Sequence, residues 1–313
     1  MKTLKLTFFL FAIVFGVATL YQCNNKTEKP RVYVLLKNIK NPFFDKIEKG
    51  IKSTNEDVQI IIKSGKNESD IASQVEYLHY IANDLEVNKK EKIWGVIITP
   101  TSSGKDLIQY IRKIREYKIP VILVDTKIDS NQLKQNNLLD IPFIGSSNEK
   151  GGEQAATLLL DTLSSNSKIL ILNGVAGQET AFQRNKGFHN VIDKESFVIT
   201  ERIGNWSFDE AFKIVSSLIT SGNSYDAIFA ANDMMALGAL QAYKIDNKKI
   251  PIIIGFDAID DAVKSINNGE LYATIAQDPF QMGKKAIELV NVLNSNQKLD
   301  TLNYYIETKV IKK

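Results

Sequence analysis

From Arg31 onward the chain alternates two patterns. A short apolar run rich in Val and Ile comes first, then a polar turn, then a stretch with apolar residues at helical spacing. The clear apolar runs are 32–36, 58–62, 94–98, 121–124, 169–172, 227–230 and 252–254. Each is short and continuous, as parallel strands covered on both faces should be. The helix-period stretches between them are 43–53, 69–82, 104–117, 149–163, 179–192, 208–220, 233–243 and 279–293. This alternation predicts right-handed βαβ units and an α/β fold of doubly wound parallel sheets; two sheets of roughly six strands each would use the whole length. The segment 129–140 is polar and rich in Asn and Gln, and predicts a long loop.

The first thirty residues break this pattern. Lys2 and Lys5 make a short basic start, and residues 6–20 then carry no charge. Fifteen residues are short for a membrane span but suit the apolar region of an export signal. Leu20-Tyr21-Gln22-Cys23 follows and resembles the lipobox of bacterial lipoproteins, in which cleavage leaves a lipid-modified Cys as the new first residue. Leu20 fits that pattern, whereas Gln22 stands where Gly, Ala or Ser is usual. The implied mature chain starts at Cys23, with residues 1–22 as the signal and 23–30 as a polar tether ending in Pro30. An uncleaved anchor or a plain secretory signal would equally place the body outside the cytoplasm.

Composition narrows the chemistry. With 44% apolar and 24% charged residues the body is globular rather than disordered. The formal charge of +3 is too small for a binder of nucleic acid, and removing residues 1–22 takes away two lysines and no acid, leaving +1. The only cysteine is Cys23 and the only histidines are His79 and His189. Internal disulfides are therefore impossible, no metal or cofactor site is expected, and a His-based catalyst has little to draw on.

Open α/β sheets bind ligands beyond the carboxyl ends of their strands. Those ends here carry Lys37 to Phe44, Thr99-Pro100-Thr101-Ser102, Asp125-Thr126, Asn173 to Gly177, Asn232-Asp233 and Phe256-Asp257. They combine amides, carboxylates and hydroxyls with aromatic rings. No Gly-x-Gly-x-x-Gly follows the first strand, and Ser103-Gly104-Lys105-Asp106 lacks the upstream Gly and following hydroxyl of a phosphate-binding loop.

Six segments in order then resemble the type I periplasmic binding proteins of sugar uptake, most closely the ribose-binding branch. They are Asn41-Pro42-Phe43-Phe44, Ile119 to Asp125, Gly174-Val175-Ala176-Gly177, Asn232 to Leu240, Gly255-Phe256-Asp257 and Ala273 to Gln277. The resemblance implies two doubly wound lobes joined by three hinge crossings, one holding 31–146 with 278–307 and the other 147–277 with 308–313. It implies a ligand site of Asn41, Phe43, Phe44, Asp125, Arg184, Trp206, Asn232, Asp257 and Gln277. Two positions depart from the ribose branch: Thr126 stands where a second Arg is usual, and Lys37 replaces a first-loop hydroxyl. A cation thus stays near the cleft but moves, which leaves the identity of the sugar open. The chemistry fits, because sugar hydroxyls both donate and accept while the apolar face of a sugar ring packs on aromatic rings.

Each of these residues also has an ordinary structural reading. Phe43 and Phe44 could be core residues of a helix started by Pro42. Arg184 could pair with Glu179 on a helix face. Trp206 could precede a helix capped by Ser207, and Asp257 could cap a helix beginning near Ala258. Four functions follow from the whole: a monomeric, lipid-anchored receptor handing a monosaccharide-sized ligand to the membrane permease subunits of an ABC importer; the same receptor presenting its ligand to a membrane sensor or kinase; a transcription factor, opposed by the export signal; and a glycosidase using Asp125 and Asp257. The first is preferred, with no enzymatic activity and no nucleic-acid partner.

Overall fold

The structure, a computed structural model, describes residues 29–53, 58–87, 92–192 and 196–313; the export signal and Cys23 lie outside the described residues. The chain runs β1 (Arg31–Leu36), α1 (Pro42–Lys52), β2 (Gln59–Ser64), α2 (Ile71–Val87), β3 (Ile93–Ile98), α3 (Ile108–Glu116), β4 (Val121–Val124), α4 (Ser130–Gln135), β5 (Phe143–Ser146) and α5 (Asn148–Leu160). It continues through β6 (Lys168–Asn173), α6 (Glu179–Val191), β7 (Val198–Ile203), α7 (Phe208–Thr220), β8 (Ala227–Ala230), α8 (Asp233–Ile245) and β9 (Ile252–Asp257). The last elements are α9 (Asp260–Asn267), β10 (Ala273–Ala276), α10 (Pro279–Asn294), β11 (Asn303–Ile306) and β12 (Lys309–Lys312).

These strands make two six-stranded sheets, ordered β11-β5-β4-β3-β1-β2 and β12-β10-β9-β8-β6-β7. Pairing is parallel throughout except where β12 runs antiparallel to β10. Central strands read as unbroken apolar runs because both faces are covered: β1, β3 and β4 of the first sheet bury their side chains in two separate apolar clusters, one on each face. The second sheet repeats the arrangement. The chain leaves the first sheet after β5, returns after β10 to lay α10 against α1, and crosses once more between β11 and β12.

Helix α1 shows how local sequence sets the frame of the cleft. Asn41 caps it by accepting from the Phe43 amide, Pro42 occupies the first turn, and Lys49 and Lys52 sit in the last. Phe43, Phe44, Ile47 and Ile51 form its buried stripe. The close approach of α10 depends on Gly50 and Gly283, where an added Cβ would lie 2.1 Å from Phe280 O and Ile47 O, respectively.

The predicted loop 129–140 contains a short helix, α4, whose N-cap Asp129 accepts from the amides of Asn131 and Gln132. No side chain of α4 is buried, so it carries no apolar period to read. Strands β7, β11 and β12 also escape the apolar pattern, since all three lie at sheet edges and expose much of their length.

Candidate functional site

In each sheet the strand order reverses beside the first strand, at β1 between β2 and β3 and at β6 between β7 and β8. Such a reversal opens a crevice at the carboxyl edge. The two crevices meet at one narrow cavity that is partly open to solvent. Lys37, Asn41, Phe43, Phe44, Glu68 and Asp125 line it from the first lobe, and Thr180, Arg184, Trp206, Asn232 and Asp257 from the second.

On the first-lobe side, Lys37 follows β1 and is only 2% exposed. Its Nζ donates to Asp125 Oδ2 at 2.8 Å and to Thr126 Oγ1 at 2.6 Å, and lies 5.8 Å from the centre of the Phe44 ring. Lys37 therefore supplies its charge directly beside Thr126. Phe43 and Phe44 meet edge to face at 5.3 Å. Both are buried and both line the cavity, so the core reading and the ligand reading hold together.

On the second-lobe side, Arg184 projects from α6 and is 3% exposed. Its Nε donates to Asn148 Oδ1 at 2.8 Å, while one terminal nitrogen donates to Ala231 O at 2.5 Å and stands 3.4 Å from Asp257 Oδ1. Its guanidinium also stacks on Phe256 at 3.7 Å. Burial pulls its pKa down from the ordinary Arg value, opposed by the charge of Asp257. Burial pushes the Asp257 carboxyl up to about 6 against the pull of Arg184. Arg184 is thus a fixed donor within the cleft and not the surface partner of Glu179, which instead accepts from Gln183.

Trp206 lies in the turn after β7. Its Nε1 donates to Gln178 Oε1 at 2.7 Å, and its ring rests so close to Gly174 that any Cβ there would fall 2.0 Å from Cζ2. Ser207 does cap α7. Asn232 caps α8 through the Met235 amide and donates to Trp206 O at 3.3 Å. Gln277 does not line the cavity; it stands behind Asp257 and donates to its Oδ1 at 2.7 Å. Asp257 caps no helix, because α9 starts at Asp260.

Three site residues adopt left-handed backbone conformations: Asp125 at φ 67°, Trp206 at φ 61° and Asp257 at φ 112°. For a bulky Trp this is a true outlier. Each such residue costs on the order of 1–3 kcal/mol and persists only where its surroundings hold it. All three lie at strand ends aimed at the cavity.

The lobes also touch directly. Gln178 Nε2 donates across the cleft to Thr101 O at 2.8 Å and Glu68 O at 3.2 Å. The Thr126 and Thr180 hydroxyls are 2.9 Å apart, and Lys46 Nζ pairs with Asp260 at 2.8 Å. Among the described residues no group of three or more His, Cys, Asp or Glu side chains is placed to hold a metal ion. His79 and His189 bond to Asn83 and Glu201, away from the cavity lining.

The profile described as the periplasmic binding protein domain matches residues 32–298. The chain belongs to the periplasmic binding protein family. The ribose import binding protein RbsB of Bacillus subtilis (strain 168) is 29% identical over 263 residues, covering 83% of this chain and 80% of its own. The ribose import binding protein RbsB of Haemophilus influenzae is 29% identical over 311 residues, covering 98% of this chain and 99% of its own. An ABC transporter solute-binding protein from Actinobacillus succinogenes 130z, solved with bound D-allose, shares the fold with a TM-score of 0.80 at 24% identity, covering 91% of this chain and 98% of its own. As a type I periplasmic binding protein, the chain is a binding protein and not an enzyme.

Glu68 and Thr180 also line the cavity, and Gln178 bridges the lobes beside it; the sequence singled out none of the three. Glu68 lies in the turn after β2, is 8% exposed, and accepts from Asn41 Nδ2 at 2.8 Å through Oε1. Burial pushes its carboxyl up to about 7, opposed first by the charge of Lys37 and then by the Asn41 bond. Its only signal in sequence is position, a carboxylate shortly beyond the end of a strand. Gln178 and Thr180 flank the start of α6, where a polar residue usually serves the helix end alone.

Proposed function

We propose that the protein is an extracytoplasmic receptor, anchored through a lipid on Cys23, that captures one monosaccharide between its lobes and hands it to the permease of an ABC importer. The observation that carries this reading is the cavity itself. Two aromatic rings at Phe43 and Phe44 and a third at Trp206 supply apolar surface, while buried ionic and amide groups converge from both lobes. That is the combination a sugar asks for, with flat apolar faces and a rim of hydroxyls. The names of the relatives, ribose import binding proteins and a transporter protein solved with D-allose, point to pentoses and hexoses and to import rather than sensing.

In this reading the lobes comprise 31–146 with 278–307 and 147–277 with 308–313. They move about the three crossings, and closure buries the sugar and forms the surface that the permease reads. The chain acts as a monomer. A panel of pentoses and hexoses followed by thermal unfolding tests capture. A cognate sugar at about 100 times its Kd should stabilise the protein by about 2.7 kcal/mol and raise Tm. A full panel without a shift at millimolar concentration overturns the sugar reading. The anchor is tested separately: Cys23→Ser should abolish palmitate labelling of the cells' exported protein, and persistent labelling would place the lipid elsewhere.

A further inference from the structure

Five charged side chains line the inner cavity, and four of them form two pairs. Lys37 meets Asp125 at 2.8 Å and Arg184 meets Asp257 at 3.4 Å. Glu68 is the fifth, and no Lys, Arg or His among the described residues stands within ion-pairing distance of it. Its bonded partner is the neutral amide of Asn41. The other charges that act on it are Lys37 and Arg184, each already committed to a carboxylate of its own, and the like charges of Asp125 and Asp257. Asp233 is buried below the site, with its oxygens held by the Thr274 hydroxyl at 2.7 Å and the Ile259 amide at 2.9 Å.

With all five ionised, the lining carries two positive and three negative charges. A buried charge without a partner is expensive, so it either takes up a proton or meets a counter-charge. A neutral sugar provides no counter-charge. No metal-holding cluster exists here among the described residues. The position of Glu68 shows where a charged ligand group would sit: Glu68, Asn41 and Trp206 line both the inner cavity and a wider outer cavity at the cleft mouth. The other charged residues of that mouth, Lys40, Lys66 and Asp209, are exposed and screened by water.

Resting on the reading of the cleft as a sugar site, we propose that this protein selects an amino sugar, with the ligand ammonium seated against Glu68 at the neck between the two cavities. An ammonium donates and cannot accept, which matches an ionised carboxylate; a hydroxyl does both and gains less from one. Burial raises the Glu68 carboxyl to about 7, and an ammonium placed against it stabilises the ionised form. Glu68 is then the specificity-determining residue of the site, while the paired charges and the aromatic rings hold the ring and its hydroxyls as they would for any sugar.

Calorimetry at pH 7 with matched ligands tests this. The probes are D-glucosamine, D-galactosamine, D-mannosamine, D-allosamine and 3-amino-3-deoxy-D-ribose, each beside its parent sugar. For at least one pair the amino sugar should bind wild-type protein at least tenfold more tightly than the parent, and in Glu68→Gln the ratio of amino-sugar to parent affinity should fall to about one. Parents binding as tightly as or more tightly than all their amino forms would overturn the proposal and leave the sugar reading standing. A preference unchanged in Glu68→Gln would also overturn the role of Glu68. If no sugar of either kind bound, the sugar reading would fall and this proposal with it. Should the variant not fold, the wild-type comparison of amino sugar with parent still decides.

Discussion

Lys37 and Asp125 show how far a single residue can be read alone. Each looked in sequence like a polar residue at a strand end. In the structure they are one buried pair, 2% and 6% exposed, so neither can be altered without leaving the other's charge stranded. Asp125→Ala should therefore weaken ligand affinity at least tenfold, since a charged hydrogen bond is worth about 1.5–3 kcal/mol. It should also lower stability by about 3–5 kcal/mol because Lys37 loses its counter-charge. The double variant Lys37→Met with Asp125→Ala should recover much of the stability in urea unfolding and none of the affinity. Equal stability of the single and double variants would show that the pair is not coupled. The candidate site was largely legible at this scale, because Asn41, Asp125, Arg184, Asn232 and Asp257 all stand where their segments placed them. Gln277 was legible as a neighbour of the site but not as a residue behind Asp257, because hydrogen-bond rank depends on packing. Glu68 was not legible at all: nothing in its local sequence tells a buried acid from a solvated one.

At the scale of elements, legibility followed burial only in part: the buried interior strands β5 and β10, four residues each, offer too short an apolar run to be read, whereas the half-exposed edge strand β2 was read. Strands covered on both faces, such as β3 and β4, were read from their apolar runs. The edge strand β7 was missed because exposed positions relieve it of any apolar requirement. The α1–α10 contact is the element-level feature on which the site depends most, since α1 carries Asn41, Phe43 and Phe44 at its first turn. Gly283→Ala should gain up to about 1 kcal/mol of helix propensity in isolation. Here it would drive a Cβ to 2.1 Å from the Ile47 carbonyl oxygen. The net result should be a lower Tm together with weaker ligand binding, because α1 has to shift. Unchanged affinity at lowered Tm would show that the first turn of α1 is held independently of α10.

At the scale of the whole molecule, the direct contacts between lobes matter because closure can be stabilised by the protein as well as by the ligand. Gln178 joins Trp206 of its own lobe to two carbonyls of the other. Gln178→Ala should shift the ligand-free protein toward open forms. Small-angle scattering should then report a larger radius of gyration without ligand and the wild-type value with it, and affinity should fall as the closed fraction falls. An identical radius in the ligand-free variant and wild type would mean that Gln178 does not hold the lobes together.

The sequence by itself determined the α/β class, the order of the main strands and helices, and most residues at the strand ends. These follow from local periodicity and from the rule that parallel sheets bind at their carboxyl edges. Only the tertiary structure decided which of those residues share a charge, which stand behind another, and which distant turn brings an acid to the cleft. Those facts depend on burial and on pairing between residues far apart in the chain. Lys37 is 88 residues from Asp125, and Gln178 is 110 from Glu68. No local pattern encodes a distance of that kind, whereas packing two lobes against each other fixes it.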